Sequence, residues 1–278
     1  MKLRVVELLI ITTIPALFLA AKGWPPLVPS IASLLGGTLA AGAANAFNMV
    51  IEAETDRLMS RTKNRPIAAG KITKNAATRF ATFLMLASLL IFWFFTTPLA
   101  TLLTSFAILF YVAIYTVLLK PNTNQNIVWG GIAGCLPVLI GWAAVTNSLS
   151  APALWFFMVV FFWTPPHFWA IAIKYHDDYS AANIPMLPVV ATRKRVYLEM
   201  WFHTIMMIIC SFATIRSAGL PQWSYYLTAV LALVFGEQVL KLRSDQSEYE
   251  KVAGRIFSFS ILYLTLFSIL LVVGQLLS

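Results

Sequence analysis

Apolar residues run through this chain in nine long blocks, roughly 5–21, 27–50, 78–95, 98–119, 126–146, 151–173, 197–215, 221–240 and 256–277, each set off by a short polar interruption. Crossing a hydrocarbon core about 30 Å thick takes about 20 helical residues, so each block is a candidate span. The pattern predicts an all-α polytopic membrane bundle of about nine transmembrane helices. Blocks 78–95 and 98–119 are separated only by Thr96-Thr97, and 126–146 and 151–173 only by Asn147-Ser148-Leu149-Ser150, which predicts two helical hairpins. No Pro- or Ser-rich linker divides the chain, so residues 1–278 are read as a single domain. The opening MKLRVVELLIITTIPALFLAA has the charged start and apolar run of a signal peptide. The run is long, however, and Lys22-Gly23-Trp24-Pro25 is a poor cleavage site, so it is read as the first membrane helix.

Composition agrees. The chain is 59% hydrophobic and 11% charged, against a charged fraction of about 25% in soluble domains. A net charge of +9 could suggest nucleic acid, but no basic face alternates with stacking aromatics, and the charge follows membrane topology instead. Of the 20 Lys and Arg residues, 18 fall in one set of loops and only Lys22 and Arg216 in the other. By the positive-inside rule the first set is cytoplasmic, which puts the N-terminus inside and the C-terminus outside. Cys135 and Cys210 are far apart and both lie in apolar runs, so they are read as small core residues.

The acids cluster on the same, cytoplasmic side. Glu52, Glu54 and Asp56 follow the second block, and Asp177 and Asp178 follow the sixth, a weak internal repeat four helices apart. Asn48, Glu52 and Asp56 are spaced i, i+4, i+8 and stack on one face of a helix. Three oxygen-bearing side chains in a column repel one another unless a cation sits among them, and hard oxygen ligands point to Mg²⁺, which is commonly shared with substrate phosphates. Asp177 and Asp178 can hold a second ion. Arg57, Arg61, Lys63, Arg65, Lys120 and Lys174 lie in the same loops and can neutralise the outer oxygens of a diphosphate, with Tyr115 and His176 beside them. The site is therefore expected at the cytoplasmic side, and it opens into a bundle rich in Phe, Trp and Met. That combination suits a prenyl diphosphate: Mg²⁺ and the basic side chains stabilise the leaving group, and aromatic faces such as Tyr111, Tyr115, Phe162 and Trp163 stabilise the allylic cation. The charged segment 241–255 is read as a solvated loop.

An N-xxx-E-xxx-D column after the second helix, with an acidic loop after the sixth, resembles the intramembrane UbiA-type prenyltransferase superfamily. The runs RTKNRP (61–66), YTVLLKPNTNQNIVWGGIAGCLPVLIGW (115–142), WTPPHFWAIAIKYHDDYSAANIPMLPVV (163–190) and FSFSILYL (257–264) are similar, nearly end to end, to its haem-farnesylating members. The resemblance implies farnesyl diphosphate and haem B as substrates, Mg²⁺ as the cofactor, and a hydroxyethylfarnesyl group replacing one vinyl in the product. It also implies a bacterial inner-membrane location and, downstream, a haem A-forming enzyme or a terminal oxidase as partner. The family usually places Asp where this chain has Glu52 and Glu54; Asp56, Asp177 and Asp178 keep the type. His167, in TPPHFW, is read either as an iron ligand or a group orienting vinyl or water, or as a hydrogen-bonded structural residue beside the Pro165-Pro166 break.

Two other readings remain open at the level of sequence. A prenyltransferase with a quinone-type aromatic acceptor would share the diphosphate chemistry. A secondary transporter with repeated halves would place its acids near the midplane, yet only Glu7, Glu199 and Glu237 fall inside apolar blocks.

Overall fold

The structure, a computed structural model, describes residues 3–60, 62–244 and 248–278. In chain order the helices are α1 (Leu3–Ala21), α2 (Leu27–Ile51), α3 (Ala53–Leu58), α4 (Lys74–Phe95), α5 (Pro98–Leu109), α6 (Lys120–Asn122), α7 (Asn126–Thr146), α8 (Ala151–Lys174), α9 (His176–Ala181), α10 (Leu187–Val190), α11 (Arg193–Ala218), α12 (Trp223–Ser244) and α13 (Tyr249–Leu276). A π-helical stretch, Phe110–Leu119, joins α5 to α6. No strand occurs among the described residues. Among the described residues eight helical segments are long and apolar enough to cross a membrane, with Pro98–Asn122 counted as one. In α1 the described apolar part, Leu8–Ala21, is shorter than those eight.

Local chemistry sets several boundaries. The Thr73 and Thr192 side chains accept hydrogen bonds from the amides of Ala76 and Arg195 and start α4 and α11 before the first apolar residue. At the predicted hairpin, Thr97 caps α5 ahead of Pro98, and its hydroxyl also donates to Ala143 O at 2.8 Å, tying the start of α5 to the end of α7. Gly219 ends α11 with φ +69°, a left-handed conformation that glycine adopts without a Cβ penalty. The expected break at Pro165-Pro166 does not occur: α8 runs unbroken through both prolines, as membrane helices can when neighbouring protein satisfies the freed carbonyls.

Small residues let the helices approach closely, which is how helices associate where lipid supplies no hydrophobic drive between them. On α2, Gly36 faces the Phe92 ring of α4 so closely that an added Cβ would lie 2.8 Å from it, and Ser88 donates to Gly36 O at 2.7 Å. Gly141 of α7 sits against Thr13 of α1, and Gly131 against Thr164 of α8. Large apolar side chains such as Phe83, Trp93, Phe94, Leu102, Leu233 and Ile269 lie exposed on the outside of the bundle, as a lipid-facing surface requires. The internal repeat expected from the acids has a structural counterpart: the long helices α2 and α8 each lead directly into a six-residue helix, α3 and α9, that carries the acids.

Candidate active site

The column Asn48, Glu52, Asp56 forms as its spacing predicts. Although α2 ends at Ile51, helical hydrogen bonding continues across the junction, with Glu52 N donating to Asn48 O at 2.9 Å and Asp56 N to Glu52 O at 2.8 Å. All three side chains are buried, at 1%, 8% and 3% exposure. Glu54, two residues away, points outward and is held by Arg57 at 2.6 Å and Lys74 at 3.3 Å.

Two cations reach the column from distant parts of the chain. Arg65 grips Asp56 bidentately, one guanidinium nitrogen donating to both carboxylate oxygens at 2.7 and 2.6 Å. Lys120, 68 residues along, pairs with Glu52. Both pairs are largely shielded from water, so their attraction is stronger than that of a surface ion pair. The π-helical stretch contributes too. Thr116 Oγ1 donates to Tyr111 O, five residues back, at 2.8 Å and accepts from Asn48 Nδ2 at 3.2 Å. π-Bulges of this kind recur at functional sites. Next to it the Tyr115 ring lies across Gly130 and beside the Tyr111 ring at 5.4 Å. Thr116 was not legible as a site residue, because a lone threonine inside an apolar block carries no signal.

Whether these residues fit a divalent cation can be judged from their donors. Asn48 Oδ1 is buried with no hydrogen-bond partner, an unsatisfied acceptor of the kind that calls for a ligand. Glu52 and Asp56 add carboxylate oxygens on the same face, an all-oxygen set suited to Mg²⁺. They fit such an ion once Lys120 and Arg65 yield part of their hold. As they stand, no group of three His, Cys, Asp or Glu side chains converges on one point among the described residues.

The second acidic motif is reached through one hydrogen bond. Ser60, just past α3, donates to Asp178 Oδ2 at 2.6 Å across 118 residues. Asp177 is fully exposed and contacts His176 Nδ1 at 3.1 Å. Lys174 is exposed, with its ammonium 5.8 Å from the Tyr175 ring centroid. Of the remaining predicted cations, Arg57 turns to Ala68 O and Glu54 and leaves the buried column. Lys63 is exposed, and Arg61 lies outside the described residues.

His167 sits among aromatic rings. It stacks on Trp163 at 4.3 Å, lies 4.6 Å from Phe257, and its Nδ1 is 2.7 Å from Ser260 Oγ. Trp163 donates to Ser260 O at 2.6 Å, so the pair fastens α8 to α13. Below the acidic column an apolar cavity of about 120 Å³ lies among α1, α2, α5 and α7, lined by Gly37, Ala41, Ala44, Asn45, Tyr111 and Pro137 among others. Its α2 wall, Ser33 to Asn45, extends along the helix for about 18 Å at 1.5 Å per residue.

A model of the UbiA prenyltransferase family matches residues 9–262 of this chain. Curated proteins named protoheme IX farnesyltransferase are similar over nearly the whole length. That of Pseudarthrobacter chlorophenolicus is 44% identical over 276 residues, covering 98% of this chain and 86% of the relative. That of Renibacterium salmoninarum is 43% identical over 275 residues, with the same coverage. Among solved structures, digeranylgeranylglyceryl phosphate synthase aligns with a TM-score of 0.79 at 16% identity, over 99% of this chain and 95% of that one. A UbiA homologue from Archaeoglobus fulgidus bound to DMAPP and Mg²⁺ aligns with a TM-score of 0.67 at 13% identity, over 98% and 97%. These last two share the fold.

Proposed function

The chain belongs to the UbiA prenyltransferase family, and from that premise we propose that it transfers the farnesyl group of farnesyl diphosphate to a vinyl group of haem B, with hydration, giving haem O and diphosphate. The observation that carries the chemistry is the buried column Asn48, Glu52, Asp56, faced by Lys120 and Arg65 at the head of an apolar cavity. The acceptor comes from relatives 43–44% identical over 98% of the chain. The related Archaeoglobus structure with DMAPP and Mg²⁺ supports Mg²⁺ as the ion. A transporter reading loses its footing: Glu237 lies on an exposed face, paired with Lys241 at 2.6 Å, and Glu199 faces Arg195 at 3.9 Å.

In this reading Asn48, Glu52 and Asp56, with Asp177 and Asp178, would hold Mg²⁺, which when bound would supply positive charge to a departing diphosphate. Lys120 and Arg65 are the nearest cations to the column and bring donors to the diphosphate oxygens, a charge-assisted contact that strengthens as negative charge accumulates there. Lys174 and His176 stand beside the second motif for the same purpose. The C1–O bond breaks with its electron pair leaving on diphosphate, and the Tyr111 and Tyr115 rings offer negative faces to the allylic cation. The terminal vinyl carbon of haem bonds to C1, the adjoining carbon becomes cationic, and water adds there with loss of a proton. Water arriving before the vinyl would give farnesol, so the apolar cavity must keep it out of the first step. An apolar cavity of about 150 Å³ takes a benzene molecule; the one here has room for about one isoprene unit, and a full farnesyl chain requires the surrounding helices to part. The His167–Ser260 pair is assigned to orienting the acceptor or the water.

The basic loops orient the N-terminus and the site toward the cytoplasm, in the inner membrane of a bacterial cell. The product would pass to a haem A-forming enzyme or a terminal oxidase. Mass spectrometry after incubation of the purified protein with farnesyl diphosphate, Mg²⁺, haem B and a quinone-type aromatic acceptor in competition tests the reading. Haem O is expected, and a farnesylated quinone in its place, with haem unchanged, would overturn it.

A further inference from the structure

A second cavity, of about 930 Å³, opens where the α8–α9 junction, α10, the start of α11 and the start of α13 meet. Its size falls within the range of small-molecule sites, about 300–1,000 Å³, and the reaction as derived so far leaves much of its wall unused. Asp178 lies on that wall, and Ser60 links it to the first acidic motif. From the other elements come Pro188 and Val189, Lys251, the carboxylates of Glu248 and Glu250, and an Arg193–Tyr249 pair with the guanidinium carbon 4.4 Å from the ring centroid. A guanidinium held over an aromatic ring still has N–H donors to offer, the fork that takes a carboxylate bidentately. Lys251 is partly neutralised by Glu248 at 2.7 Å, which leaves Arg193 as the principal anion-binding side chain here.

Protohaem is a flat apolar macrocycle with two propionate carboxylates on one edge and vinyl groups away from that edge. We propose that this cavity holds the acceptor tetrapyrrole, with Arg193 receiving a propionate, Pro188 and Val189 against the ring, and the vinyl edge turned toward the second acidic motif. The inference rests on haem being the acceptor, as proposed above. Placed so, the ring bridges the Arg193 side of the cavity and the motif that faces the diphosphate. The same contact discriminates against acceptors that lack an anionic edge.

Absorbance titration of the purified protein with haem B, without farnesyl diphosphate, tests this, with the dimethyl ester of haem as the uncharged probe. Wild type should prefer the diacid. Arg193→Gln should weaken diacid binding by about tenfold, the equivalent of one charge-assisted hydrogen bond, and narrow the preference over the ester. Arg193→Lys should recover part of it, whereas Lys194→Gln, which removes an exposed charge outside the cavity wall, should bind like wild type. Unchanged diacid affinity or an undiminished preference in Arg193→Gln overturns the site while leaving haem as the acceptor. Failure of wild type to bind haem at all overturns both.

Discussion

Replacing Asp56 by Asn removes one charge of a bidentate pair whose carboxylate side chain keeps only 4% of its surface in water and whose arginine keeps 15%. Sequence alone predicts lost turnover in a protein that stays folded, since a metal-ligand charge goes and no packed volume with it. The structure adds a cost: Arg65 stays charged, largely enclosed and without its carboxylate. Breaking a buried ion pair by removing one partner destabilises by about 3–5 kcal/mol, and the residual exposure of Arg65 puts this case near the low end, at about 3 kcal/mol. For a chain of this size that corresponds to a melting temperature lower by roughly 6–12 °C. Arg65→Gln alone should cost a similar amount, because Asp56 is then the orphan. The double variant Asp56→Asn/Arg65→Gln pairs two amides and should recover most of the loss, so that the cycle shows strong coupling. Activity should behave differently: loss of a group that supports charge in the transition state costs about 10²–10³ in rate, and the double variant cannot regain it. The assay is haem O formation at saturating haem B and Mg²⁺, alongside thermal unfolding in one detergent at one scan rate. If the double variant recovers activity together with stability, Asp56 acts only as Arg65's partner and the acidic column loses its chemical role.

Other outcomes follow from neighbouring contacts. Glu52→Asp should keep the charge and much of the turnover with an altered Mg²⁺ dependence, while Glu52→Gln should lose most of it; kcat across a Mg²⁺ titration decides, and a fully active Gln variant removes Glu52 from the site. Asp177→Asn and Asp178→Asn should each lower turnover by about the same 10²–10³ with little change in unfolding temperature, since Asp177 is fully exposed and Asp178 accepts from Ser60 near the surface; normal rates in both at limiting Mg²⁺ would dismiss the second motif. Gly130→Ala would place a methyl about 2.1 Å from the Tyr115 ring and must push that ring aside, so overpacking of about 1–3 kcal/mol is expected with a fall in kcat; unaltered kcat would detach Tyr115 from the reaction.

Periodicity and charge sidedness determined most of the architecture: helical spans, the two hairpins, and acids and bases gathered at one end. Those features are local, set by the length of apolar runs, by caps such as Thr97 and Thr192, and by the cost of placing charge in hydrocarbon. Spacing also placed Asn48, Glu52 and Asp56 in one column, because i, i+4, i+8 share a face on any helix, while Glu54, two residues off it, pairs with Arg57 and Lys74. Only the tertiary structure decided which cation meets which acid. Arg65 joins Asp56, Lys120 joins Glu52, and Arg57, closest in sequence, turns away. Ser60 and Asp178, 118 residues apart, become neighbours, and Thr116 acquires its place because a π-helical stretch directs its side chain at Asn48. Such pairings depend on the angles and distances at which helices pack, and those are set by small residues such as Gly36, Gly130 and Gly131 meeting particular rings and methyls. No window of sequence holds both partners of such a contact, so the identity of each pair is a property of the folded bundle.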